Sequence, residues 1–206
     1  MAAHYKRADY WTVKAHQEGF PARSVYKLKE IDEKFSFFKR GQRHLRVLDL
    51  GAAPGSWSLY ASRLVGKSLL LTAVDTAPLL PACTAELSSS LESFVFVHGD
   101  MTDSCTRESV SAHGPFDIVM SDAAPATTGN SSIDTMRSLV LAESALDYAL
   151  QLLVKGGNFV VKIFQGNESA ALLNRIQGLF LRGKSFKPQV CRNESFETYY
   201  LGLQKR

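Results

Sequence analysis

The chain has no apolar run approaching the roughly 20 residues that span a bilayer. Its first twenty residues, MAAHYKRADYWTVKAHQEGF, mix charge, rings and polar groups where a secretory signal would be hydrophobic. A cytoplasmic protein with no membrane partner is expected. Cysteine is scarce: Cys83, Cys105 and Cys191 lie far apart, in odd number and without a Cys-x-x-Cys pair, so reduced structural thiols and no metal are expected. No internal repeat, low-complexity tract or linker-like stretch interrupts the sequence. The Gly-x-Gly-x-x-Gly spacing of a dinucleotide loop is missing, and ASRLVGKS fails as a P-loop because Ala61 stands at its first glycine.

What is present fits one soluble globular domain, 1–206: 45% of the 206 residues are apolar and 21% charged. The net charge of +4 is unevenly placed. Residues 1–46 hold 11 Lys and Arg against 5 Asp and Glu, so the remainder, with 13 against 15, is slightly acidic. A polyanion is the natural partner of such a basic prelude, the alternative being a solvated helix face. Within it Val25, Leu28, Ile31 and Phe35 recur at helical spacing.

In the core, 47–206, near-continuous apolar runs (LRVLDL, opening at Leu45, then SLLLTAVD, SFVFVHGD, FDIVMSD and NFVVKIFQ) alternate with helical stretches. That pattern predicts a Rossmann-like α/β fold, a mostly parallel sheet covered on both faces. The clearest helix is expected over residues 135–154, closed by Gly156 and Gly157, with a last helix near 168–181. FKPQVCR and TYYLGLQ then read as a terminal hairpin, for a total of about seven strands. Ligands of such sheets bind beyond the carboxyl ends of the strands, at a switch in strand order.

The first strand runs into DLGAAPGSW, residues 49–57, whose Asp49, Gly51, Ala52, Pro54, Gly55 and Trp57 are candidate cofactor contacts. The glycines let the backbone turn tightly and approach a ligand, and the helix start beyond offers free N–H groups. A nucleotide-like cofactor without a pyrophosphate is expected. Asp75 ends the second core strand, where an acidic residue binds ribose hydroxyls, and Asp100 ends the next, where it can accept from an adenine amino group. Alternatively, both carboxylates simply cap the elements that follow.

GNFVVKIFQG, residues 157–166, sets Lys162 inside a strand that should be buried. A buried lysine must be paired, lose its proton or line a cavity. Asp122, in SDAAP after the strand FDIVM, can reach the same sheet edge and pair with it. An ion pair that merely survives burial is the alternative without function.

Taken together, ARSVYKLKEID, VLDLGAAPGSWS, SDAAP, TTGN, VVKIFQG and ETYYLG resemble, in order from about Tyr10 onward, the FtsJ/RrmJ family of AdoMet-dependent RNA 2'-O-ribose methyltransferases. The resemblance implies the seven-stranded methyltransferase fold, S-adenosyl-L-methionine (AdoMet) as cofactor and large-subunit ribosomal RNA as partner, with uridine the expected nucleoside. It places a Lys-Asp-Lys-Glu tetrad on Lys27, Asp122, Lys162 and Glu197, the AdoMet ribose on Asp75, the adenine on Asp100, and the methionine part near residues 51–55 and Asp122. One departure is Ala126, where members resembling the bacterial ribosomal enzyme usually carry asparagine after SDMAP. Without the resemblance, Lys27 reads as a surface lysine on a basic helix and Glu197 as an edge charge that discourages strand pairing.

The implied chemistry is proton removal and in-line alignment. Lys162, neutral when substrate binds, takes the 2'-hydroxyl proton; Asp122 orients it, and Lys27 with Glu197 positions the ribose. Lys6, Arg7, Lys14, Arg23 and Lys29 of the prelude 1–46 are expected to contact RNA phosphates, with residues 181–187 extending that surface. Tyr10, Trp11, Tyr26 and Phe37 either stack on bases or belong to the core. A transfer-RNA substrate and a non-catalytic ribosome assembly factor stand as alternatives, a dehydrogenase being disfavoured by the glycine spacing. A monomer is expected.

Overall fold

The computed structural model describes residues 10–38, 44–166, 168–191 and 196–206. Two helices, α1 (Tyr10–Gln17) and α2 (Val25–Phe35), precede β1 (Leu45–Leu50), α3 (Ser56–Val65), β2 (Leu69–Asp75), α4 (Pro81–Ser90), β3 (Ser93–His98), α5 (Ser104–Ser111) and β4 (Phe116–Ser121). The chain continues through α6 (Ser131–Leu152), β5 (Leu153–Phe164), α7 (Ser169–Leu179), β6 (Phe180–Phe186) and β7 (Glu197–Lys205). The seven strands are ordered β3-β2-β1-β4-β5-β7-β6. Strands β1 to β5 are parallel, and β7 runs antiparallel between β5 and β6. Strand order reverses between β1 and β4, which creates a crevice at their carboxyl ends.

Both faces of the sheet are covered because successive strand residues point to opposite sides and both sides are apolar. Val47, Leu71, Ile118 and Val160 pack under α2, α3 and α4, while Leu48, Val74, Val119 and Val161 pack under α5, α6 and α7. Helix α2 belongs to this core. Its Leu28 and Ile31 are fully buried, each worth about 1.5–3 kcal/mol. Polar ties fix its rotation: Trp57 Nε1 donates to Ser24 O at 2.9 Å, Phe38 N to Asp32 Oδ1 at 2.8 Å, and Gln189 N to Glu30 Oε2 at 2.7 Å. Lys27 is thereby held against the sheet rather than in solvent.

Several sequence expectations shift. The long helix begins at Ser131, four residues before the expected 135, because the Asn130 side chain accepts from Ser132 N and Ile133 N and caps it. It ends at Leu152, and β5 starts before Gly156 and Gly157: Leu153 is buried in the core, and a Cβ on Gly157 would lie 2.7 Å from its side chain. The terminal hairpin is real, but β7 pairs with residues 180–186, of which only Phe186 belongs to FKPQVCR. Phe180 is buried and stacked on Phe159, which draws the chain into the sheet two residues earlier than the helical pattern suggested. Tyr26 and Phe37 are buried core rings and cannot stack on bases, whereas Tyr10 is 69% exposed. Lys6 and Arg7 lie outside the described residues.

Candidate active site

The carboxyl ends of β4 and β5 and the amino end of antiparallel β7 meet at one sheet edge. Register aligns Lys162 with Tyr199 and Phe164 with Glu197. Asp122 follows β4 directly, and the first turn of α2 brings in Lys27. All four tetrad residues converge there. Lys162 Nζ lies 3.1 Å from Asp122 Oδ1 and donates to the Asp122 carbonyl at 2.5 Å. Lys27 forms an ion pair with Glu197. Both lysines are buried, at 7% and 8% exposure for Lys27 and Lys162, so they are not surface charges.

The two pairs are joined by a residue that the sequence reading missed. The Tyr199 hydroxyl lies 2.7 Å from Asp122 Oδ1 and 2.8 Å from Glu197 Oε1, between two carboxylates to either of which its single O–H can donate. The available signal was the period-two spacing of Glu197 and Tyr199 in ETYY, which puts both on one strand face. Cys191 Sγ also approaches Glu197 Oε1, at 3.6 Å.

The electrostatics of this chain of groups are self-consistent. Burial alone would push Asp122 up, but Lys162, Lys27 and the Tyr199 hydroxyl outweigh it and hold the carboxyl below its usual range. Burial likewise opposes the Lys27 ammonium, yet Asp122 and Glu197 more than compensate and hold its pKa above the usual value. Burial and the same two carboxylates push Tyr199 well above an ordinary phenol, so it remains a donor.

Beside this network opens a cavity of about 760 Å³, a size typical of small-molecule sites. Gly51, Pro54, Asp75, Asp100, Asp122 and Lys162 all line it. Arg137, which no spacing in the sequence singled out, does too. Gly51 has φ +75°, and a Cβ there would lie 2.6 Å from the Ala123 backbone, so the β1 and β4 loops touch at the cavity floor only because it is glycine. Asp75 accepts from Ala53 N and Ala77 N, each at 2.8 Å, and Asp100 Oδ1 accepts from Thr102 N and Oγ1. Neither carboxylate caps the helix that follows, since α4 and α5 have Leu80 and Asp103 at their N-caps, without a side-chain cap; both instead hold loop N–H groups while lining the cavity, which a carboxylate with about four acceptor sites allows.

Asp49, Ala52, Gly55 and Trp57 of the same loop are not part of the lining. Asp49 is fully buried beneath it and accepts from Ser58 Oγ at 2.6 Å; its Oδ1 has no hydrogen-bond partner among the described residues. Burial, reinforced by Asp122 and Asp75 and opposed by Ser58, pushes this carboxyl up to about 7. Trp57 packs behind the network with its ring 5.8 Å from that of Tyr199. Gly55 starts α3 at φ +118°, close to Cys83.

The chain is similar to several known proteins. The model of a family described as FtsJ-like methyltransferase matches residues 20–205. The Treponema denticola protein named Ribosomal RNA large subunit methyltransferase E is 49% identical over 199 residues, covering 97% of this chain and 96% of that one. A protein of the same name from Bdellovibrio bacteriovorus is 42% identical, covering 98% and 99%. Among solved structures, a fibrillarin/Nop5p complex aligns with TM-score 0.59 at 16% identity, over 87% of this chain and 82% of that one. Human methyltransferase-like protein 13, solved with SAH, aligns with TM-score 0.54 at 14% identity, over 78% and 72%.

Proposed function

The chain belongs to the FtsJ-like methyltransferase family, and from that premise we propose that it transfers a methyl group from AdoMet to a ribose 2'-hydroxyl, expected to be a uridine's, of large-subunit ribosomal RNA. The observation that carries this reading is the continuous set Lys162, Asp122, Tyr199, Glu197 and Lys27, whose Lys162 and Asp122 line the cavity. The names of the relatives supply the RNA.

The cavity suits AdoMet by its chemistry. Three carboxylates, Asp75, Asp100 and Asp122, face it against Lys162 and Arg137, which is no cradle for a pyrophosphate but fits a cationic nucleoside rich in donors. Asp75 would hold the ribose hydroxyls, Asp100 the adenine amino group, and the Gly51 to Pro54 loop the methionine part. When bound, AdoMet supplies a methyl group on a positively charged sulfur that needs no further activation to leave.

The task left to the side chains is to take one proton from the ribose and to align its oxygen. Lys162 Nζ takes that proton. It must first be neutral, and a neutral amine keeps two N–H groups: Asp122 accepts both, one at Oδ1 and one at its carbonyl oxygen. The nitrogen lone pair is then left to face the substrate. Lys27 is the lysine that keeps its charge, held between Glu197 and Asp122. With Glu197 it positions the ribose, and Tyr199 fixes the spacing of the two carboxylates.

RNA would lie over the basic prelude. Lys29 of α2 and the exposed Arg182 and Lys184 of β6 supply phosphate contacts, and Lys34, whose Nζ sits 4.6 Å from the Phe186 ring, links the two elements. The test is transfer of labelled methyl from AdoMet to large ribosomal subunits that lack the modification, with the product nucleoside mapped. Label as 2'-O-methylribose in large-subunit RNA is the expected result. Label confined to transfer RNA would replace the substrate, and AdoMet binding with no label in any RNA would favour an assembly factor.

A further inference from the structure

Two residue pairs beyond Lys162 and Tyr199 along the sheet, a second cleft of about 320 Å³ opens between α6, the end of β5 and the start of β7. Met136 and Leu139 line it from α6, Phe164 from the end of β5 and Gln165 just beyond it, Phe196 from the entry to β7, and Glu168 from the start of α7. It is continuous with the reacting edge. Phe164 pairs with Glu197, Gln165 N donates to Phe196 O at 2.8 Å, and Phe164 lies two residues, roughly 6–7 Å, beyond Lys162 on the same strand face. Helix α6 contributes to both cavities, Arg137 and Leu141 to the first and Met136 and Leu139 to the second.

Two large apolar side chains of this cleft are held in water: Met136 and Phe196 are each 64% exposed. Such groups beside a catalytic edge mark a binding surface. The cleft does not suit phosphate, since among the described residues no lysine or arginine lines it and Glu168 does. A ring face, a thioether, a carboxamide and a carboxylate instead suit a flat heterocycle carrying an amino donor. We propose that this cleft holds the base of the nucleotide adjacent to the methylated ribose, stacked on Phe196 and Met136, with Gln165 and Glu168 accepting from its polar edge. The assignment rests on the ribose-methylation reading and adds a sequence-sensing subsite to it. One extended nucleotide step carries the neighbouring base from Lys162 to Phe164, and stacking makes the subsite tolerant of ring type while the acceptors favour an amino-bearing base.

The test compares Phe196→Ala, Phe196→Leu and Phe196→Trp with the unsubstituted protein on large subunits lacking the modification, measuring KM for the subunit, kcat and AdoMet affinity. Phe196→Ala should raise KM roughly 5- to 150-fold, the range for loss of one base–aromatic stack, with AdoMet affinity unchanged. Phe196→Trp should restore KM; Phe196→Leu, apolar but without a ring face, should not. Met136→Ala should raise KM from the opposite wall. An unchanged KM in Phe196→Ala would overturn the subsite, and full rescue by leucine would show an apolar contact rather than a stacked base. Failure of the unsubstituted protein to methylate would instead overturn the reading on which the subsite rests.

Discussion

Lys162, Asp122, Tyr199, Glu197 and Lys27 form an alternation of donors and acceptors in which no buried charge lacks a partner. Removing a member leaves a neighbour uncompensated, which costs more than the bond itself was worth. Tyr199→Phe deletes only the hydroxyl between two carboxylates, so thermal unfolding should show a loss of about 1.5–3 kcal/mol, with kcat reduced and AdoMet affinity preserved. Unchanged stability and turnover would mean that the hydroxyl bridges nothing. Asp49 behaves oppositely. Its folded pKa is about 7, against about 3.9 for an unperturbed aspartate, so the folded state binds the extra proton and stability falls as pH rises from about 4 to about 7. Asp49→Asn should therefore gain up to about 4 kcal/mol over the unsubstituted protein at pH 8 and little at pH 4. Melting curves across pH measure this, and a difference independent of pH would contradict it. The depressed Asp122 has the reverse sign: its stabilisation is present above the unfolded value near 4 and is lost as pH falls through the folded one.

Elements are legible in sequence where a repeating pattern sets them and illegible where a single contact does. The run LRVLDL coincides with β1 and FDIVMS with β4, since continuous apolar stretches admit little else between helices. The start of α6 depended on one asparagine side chain, and the early start of β6 on where Phe180 finds Phe159; neither leaves a periodic trace. The same distinction governs the site. Asp122 was legible as a polar group just past a strand end and Lys162 as a charge inside an apolar strand, whereas Tyr199 was not, because a tyrosine in a strand breaks no rule. Gly51 shows a glycine required by geometry. With φ +75° and no room against Ala123, Gly51→Ala must displace the loop that carries Asp122's neighbour. The expected outcome is about 1–3 kcal/mol lost in stability and weakened AdoMet binding by calorimetry; unaltered affinity would separate the loop from the cofactor.

The proposed function assigns two surfaces to the molecule, the crevice at the β1–β4 switch for the cofactor and the basic residues of α2 and β6, Lys29, Arg182 and Lys184 among them, for RNA. The prelude is packed into the core through Leu28 and Ile31, so the lysine it contributes is fixed relative to the sheet. On the proposed mechanism, RNA contact by Lys29 and ribose positioning by Lys27 would share one helix. Binding of RNA should weaken linearly in log–log plots against salt, and Lys29→Ala or Lys184→Ala should each lower the slope by about 1. A flat salt response would remove the basic face from the account. The central claim is that a buried lysine serves as the base, and the most direct measurement is single-turnover methyl transfer by Lys162→Ala, with AdoMet affinity determined on the same protein. Lys162→Ala should lose transfer while AdoMet binds as tightly as before; transfer at the unsubstituted rate would leave Lys162 no more than a structural partner of Asp122.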